Sequence, residues 1–178
     1  VQITVIESQE INAFALPGGF IFLPKGMIKA IETPGQMAAL LSHEFVHARN
    51  KHSLRNMIAA ASGKITLMIF AGGLDDGAIS LLLSSGEDLR SLGFSRDLES
   101  ESDRVGMELM AESGIQPAEM IGLLEILSKS AGVQPPEFLS THPVFEERIP
   151  DAKEISKDLS VQPQKKMNES LFTLLKGR

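Results

Sequence analysis

The sequence predicts an α+β domain, mostly helical, with a small sheet or hairpin packed on one central helix. Three observations predict it. Residues 43–47 read His-Glu-Phe-Val-His within a helical segment. A strand–turn–strand pattern stands just ahead of that segment, at residues 13–23. Two further stretches, 95–114 and 117–131, carry helix start and stop signals,. A chain of 178 residues is long enough for one domain with a real core, and 1–178 reads as one domain without internal repeats,.

Taken in order, Val1, Ile3 and Val5 alternate with Gln2 and Thr4, the period of a half-buried strand,. Ala13 to Leu16, the turn Pro17-Gly18-Gly19, and Phe20 to Leu23 form a hairpin, followed by a short helical turn at Met27 to Ile31,. Thr33-Pro34-Gly35-Gln36 has the shape of a capping box, with Pro34 at the first helical position,. The helix it opens runs from about Pro34 to Ala61, closing near Gly63, with Leu41, Phe45 and Ala48 as a buried stripe beside the histidine face,. Residues 64–92 have no clear period; short helices at 79–83 and 87–92 fit, and material of this kind beside a cleft suits a lid,. Ser95 caps a second strong helix that stops at Gly114,. Pro117 to Ala131 is amphipathic, with Met120, Ile121, Leu124 and Leu127 on its apolar side,. A loop at Pro135-Pro136 precedes Thr141-His142-Pro143, then a helical run interrupted by Pro150, a polar tail, and a last amphipathic turn or two at 169–176,.

The chemistry begins with His43 and His47. Four residues apart on a helix, they point the same way and can grip one metal ion, with Glu44 beside it to take a proton from water,. Glu99 and Asp103 share one face of the second strong helix, and Gly106 on that face lets another helix come close,. That helix can present Glu99 to the metal and Asp103 to a histidine. On spacing alone Glu99, Glu101 and Asp103 read as a solvated acidic face; an HExxH helix still lacking a third ligand reverses the preference. Asn12, Ala13 and Phe14 fall where an edge strand would rim the cleft and accept an extended peptide, the alternative being a plain core hairpin,. His52 stands five residues past His47, off the ligand face of a continuous helix, and reads as structural; Arg96, Glu101 and Arg148 read as salt-bridge or surface groups,.

Composition narrows the choices. Cysteine is absent, so a metal site must use histidine and carboxylate, the ligand set of catalytic rather than structural zinc,. A net charge of −6 argues against a nucleic-acid partner,. The apolar stretch from about Met57 to Leu83 is broken by Lys64, Asp75 and Asp76, so it falls short of the ~18 uninterrupted apolar residues of a spanning helix, and the expectation is a soluble piece,.

Four segments, in this order, resemble the HtpX-like and CAAX prenyl protease-like zinc metallopeptidases: Asn12 to Gly19, His43 to His47, Ser95 to Glu99 with Asp103 to Gly106, and Thr141 to Pro143 with Glu146 to Ile149. The resemblance implies a gluzincin fold, one Zn²⁺ per chain held by His43, His47 and Glu99, and Glu44 as general base. It places Asp103 behind a ligand histidine, and His142 at a position that steadies the oxyanion or binds the zinc itself at rest. It implies an endopeptidase acting on protein or peptide substrates, plausibly unfolded or misassembled envelope proteins. A latent, client-binding envelope protein with His142 blocking the zinc is the alternative. Ser102 stands where the family commonly has Ala. Together with the lack of a spanning segment, the resemblance favours the soluble branch in the periplasm of the bacterial cell envelope, with membrane association only through a segment absent from this chain.

Overall fold

The computed structural model describes residues 1–56, 58–59, 94–130, 142–143, 147–163, 172–173 and 176. The expected features at 64–92, at Pro135-Pro136 and in most of 169–176 lie outside them. Among the described residues the chain is mostly helical with one three-stranded sheet, as the sequence predicts, and no helix is long and apolar enough to cross a membrane.

The sheet is built by β1 (Gln2–Ile6), β2 (Phe14–Leu16) and β3 (Phe20–Pro24), in the order β1-β3-β2. β2 and β3 form an antiparallel hairpin, and β1 lies parallel to β3 with Gln2 opposite Phe20. The hairpin turn works because Gly18 and Gly19 both take positive φ, at 96° and 85°, where a side chain would be strained,. Phe14 and Phe22 face each other across the ladder and stack with centroids 5.3 Å apart,. β2 is left as an edge, close against the long helix. One expectation is reversed: Val1, Ile3 and Val5 are on the exposed face of β1, while Thr4 and Ile6 are half-buried. Alternation fixes that one face is apolar, but which face is covered depends on what packs there.

A short helix, α1 (Lys25–Ala30), leads into α2 (Pro34–Arg49). The capping box forms as the sequence predicts. Thr33 Oγ1 accepts from Gln36 N at 3.0 Å, and Gln36 Oε1 accepts from Thr33 N at 3.1 Å,. Two details differ from expectation. The buried side of α2 is the histidine face itself, Gln36, Met37, Leu40, His43, Glu44 and His47, whereas Leu41, Phe45 and Ala48 are only half-buried. The reason is that two later helices cover the histidine face. The helix also stops at Arg49 instead of running to Ala61. Lys51 adopts φ 57°, a left-handed turn, and a new helical segment starts at residue 52,.

Helix α3 (Arg96–Glu112) begins at the N-cap Ser95 and ends in a Schellman motif: Ile115 N donates to Met110 O, Gly114 N donates to Ala111 O, and Gly114 takes φ 76°,. It crosses α2 at Gly106, where a Cβ would stand 3.2 Å from Ser42 Oγ and 3.4 Å from the backbone N of His43. Substituting Gly106→Val is therefore expected to push α3 off the metal-binding helix and to cost about 1–3 kcal/mol in urea unfolding, as overpacked sites do. Helix α4 (Glu119–Ser130) also packs on α2, and α5 (Arg148–Asp158) packs on α3 and α4. Pro150 does not interrupt α5. It falls in the first turn, where backbone N–H groups have no intrahelical partner to lose,. Met27, Ile31, Leu40, Met107, Leu124 and Leu127 fill the core between these elements.

Candidate metal centre

The helix α2 carries His43, Glu44 and His47 on its covered side, and α3 brings Glu99 and Asp103 to the same place. His142 arrives from the segment before α5. His43, Glu44, His47, Glu99 and His142 are each at most 2% exposed. One donor atom from each of His43, His47, Glu99 and His142 lies within 4.8 Å of the others. His43 Nε2 is 3.0 Å from His47 Nε2 and 3.3 Å from His142 Nδ1, while Glu99 Oε1 is 3.3 Å from His47 Nε2 and 2.9 Å from His142 Nδ1. Four donors bonded at about 2.0–2.1 Å to one tetrahedral ion would stand about 3.3–3.4 Å apart, so the cluster fits a single small cation. Three nitrogens and a carboxylate, with no thiolate, are the donor set that suits such an ion at a catalytic position.

Each charge has a physical setting. Burial drives the His47 imidazole well below its ordinary pKa, which keeps the ring neutral and its lone pair free for a cation,. Burial would raise Glu99, but the neighbouring His142 and His43 hold it well below the usual carboxylate range. Burial also pushes Glu44 up, against the opposing pull of His142 and His43. Neither Glu44 oxygen has a side-chain hydrogen bond; the backbone of Ala15 pulls weakly on the carboxylate, and His142 Nε2 is 3.5 Å from its Oε1. A carboxylate buried in that way is costly for a fold and useful for proton transfer. For His142, burial lowers the ring, yet Glu99 and Glu44 prevail and its pKa is raised.

Behind the cluster, Asp103 Oδ1 accepts from His43 Nδ1 at 2.9 Å. Arg148 then grips Asp103 with two hydrogen bonds, from Nε at 2.7 Å and from Nη2 at 2.8 Å. Its Nη1 reaches Glu99 Oε2 at 2.6 Å and donates to the Pro143 carbonyl at 3.0 Å. Burial alone would raise Asp103, but Arg148 holds it low.

The sequence reads Arg148 as a salt-bridge or surface group; the structure makes it a salt-bridge group, buried with 3% exposure between two carboxylates. The signal for its burial was its place in the stretch Glu146 to Ile149, six residues after His142. Phe94 was not singled out at all. Its ring lies 4.0 Å from that of His47 and 5.0 Å from that of His142, walling one side of the cluster. His52, expected to point away, is buried and touches His47. Of the three rim residues, Phe14 opens the edge strand β2, while Asn12 and Ala13 lie buried just before it. The next strand residue, Ala15, has its carbonyl taken by Ser53 Oγ at 2.6 Å.

A histidine pair one helical turn apart, closed by a carboxylate from a crossing helix and with a buried glutamate beside it, fits a metallopeptidase domain. Comparison with known proteins agrees. Residues 1–156 match the model of peptidase family M48, and the chain belongs to that family. It is 30% identical, over 98% of its length, to the beta-barrel assembly-enhancing protease of Escherichia coli (strain K12), of which it spans 38%. It is 28% identical, over 92% of its length, to the mitochondrial metalloendopeptidase OMA1 of Saccharomyces cerevisiae, spanning 50% of that protein. The OMA1 of Schizosaccharomyces pombe is 32% identical over 83% of this chain, which spans 44% of it.

Proposed function

We propose that this domain is a zinc-dependent endopeptidase that cuts unfolded or misassembled proteins of the bacterial cell envelope, in the periplasm. The convergence of His43, His47 and Glu99 on one point, with Glu44 beside them, carries the reading. The three side chains hold one zinc ion per chain. Bound zinc supplies a Lewis acid for the scissile carbonyl and lowers the pKa of the attacking water toward ~7. Glu44 takes that water's proton and hands it to the leaving amine; its raised pKa suits a base that must also give the proton back,. Asp103 holds the Nδ1–H of His43, which fixes the tautomer and leaves Nε2 for the ion,. The edge strand β2, with Asn12, Ala13 and Phe14 at its start, receives the substrate as an added strand,. The envelope setting draws support from the name of the Escherichia coli relative, a beta-barrel assembly-enhancing protease. The protein itself carries net charge −6, which offers nothing to nucleic acid,.

The test is metal content together with proteolysis. Purified protein is expected to carry one zinc per chain and to cleave casein, to lose cleavage on chelation, and to regain it when zinc is restored. Full zinc occupancy without cleavage of casein, with His142 present or replaced, would overturn the reading.

One observation favours a second reading, a latent protein that binds clients. His142 Nδ1 lies 2.9 Å from Glu99 Oε1 and 3.3 Å from His43 Nε2, in the place of a fourth donor. If His142 blocks the ion at rest, His142→Ala raises the cleavage rate. If it steadies the oxyanion, the same change lowers kcat by about 10²–10³. Protein that binds zinc and client yet cleaves nothing even as His142→Ala would establish the latent form.

A further inference from the structure

We propose that His52 is a positioning residue for His47, the middle of a relay running from Glu101 through His52 to the metal-binding imidazole. This rests on the reading that His47 holds the ion. His47 turns Nε2 toward the cluster, 3.3 Å from Glu99 Oε1, so its Nδ1 carries the proton,. That Nδ1 lies 3.0 Å from His52 Nδ1. The second nitrogen of the pair must accept, which puts the His52 proton on Nε2. Nε2 faces Glu101 Oε2 at 3.5 Å, an electrostatic contact longer than a hydrogen bond, and Glu101 is itself held by Asn50 Nδ2 through its other oxygen at 2.8 Å. Every atom in the row has one consistent role: carboxylate, N–H, lone pair, N–H, lone pair toward the ion.

The backbone is bent to make this possible. On an uninterrupted helix, a residue five past His47 is rotated well away from it. The helix stops at Arg49, and Lys51 takes a left-handed φ of 57°, a conformation that strains a non-glycine residue,. The turn swings His52 under His47, buries it completely, and sets the rings edge to face with centroids 4.9 Å apart. His43 has Asp103 behind it. His52 gives His47 the equivalent support, and Glu99 and Glu101 of α3 then serve the same histidine from its two ends.

The experiment measures the zinc dissociation constant by competition with a chelator, for the wild type, His52→Leu and His52→Asn. Leucine fills the space but accepts no proton; asparagine restores an acceptor at the Nδ1 position. His52→Leu is expected to bind zinc about 10–100-fold more weakly, the usual loss when a residue behind a metal ligand is removed, and His52→Asn to recover most of that loss. Leucine binding as tightly as wild type, or asparagine as weakly as leucine, overturns the proposal. If His52→Leu does not fold, Glu101→Ala at the part-exposed end of the relay replaces it; a weakened affinity is expected, and an unchanged one overturns the proposal. Wild-type protein that binds no zinc defeats the metal-centre reading instead, so the two failures are distinguishable.

Discussion

Glu44→Gln is expected to keep one zinc per chain and to slow casein cleavage by about 10²–10⁴, the range that a positioned general base contributes. The amide fills the same buried space and leaves His43, His47 and Glu99 untouched, so the ion stays. What is lost is a group that can accept a proton. Glu44 is suited to that task because it is fully buried, has no side-chain hydrogen bond on either oxygen, and has His142 at 3.5 Å. Metal content by emission spectrometry, beside a casein digest, reads both halves. Cleavage at the wild-type rate would remove Glu44 from the mechanism.

The largest effect on stability is expected at Arg148. Its guanidinium is nearly sealed from water and lies between Asp103 and Glu99, whose other cationic partners among the described residues are imidazoles. Arg148→Met keeps most of the volume and removes the charge. Asp103 and Glu99 would then be buried with their main counter-ion gone, and stability should fall by about 3–5 kcal/mol in urea unfolding of the metal-free protein. Adding Asp103→Asn to Arg148→Met is expected to recover part of the loss, because it removes a charge the single variant leaves unpaired. An additive double variant would show that the two side chains do not act together.

The parts that could be read in the sequence are those set by local rules. Thr33 and Gln36 close a box within four residues, and Gly114 ends α3 because the Schellman turn needs a left-handed residue. Four-residue spacing put Glu99 and Asp103 on one face of α3, the HExxH helix's missing third ligand turned that face inward, and Gly106 marked the approach to α2. What escaped was decided by packing. The end of α2 has no glycine or proline to mark it, because Lys51 makes the turn. His52 could not be assigned to His47 without that turn. Arg148 looks like any helix-surface arginine until α5 is docked on α3, and the exposed side of β1 is settled by which neighbours cover the sheet.

The grip of Arg148 on Asp103, and of Asp103 on His43, makes the set of one imidazole depend on a residue far along the chain. A chain leaving the ribosome displays His43 and His47 about a hundred residues before Arg148 exists. Until then Asp103 lacks the guanidinium that clasps it, and His43 lacks the fixed orientation that a clasped Asp103 gives. The two imidazoles of α2 are thus only part of a ligand set, and the set is whole only where α3 and α5 have both docked.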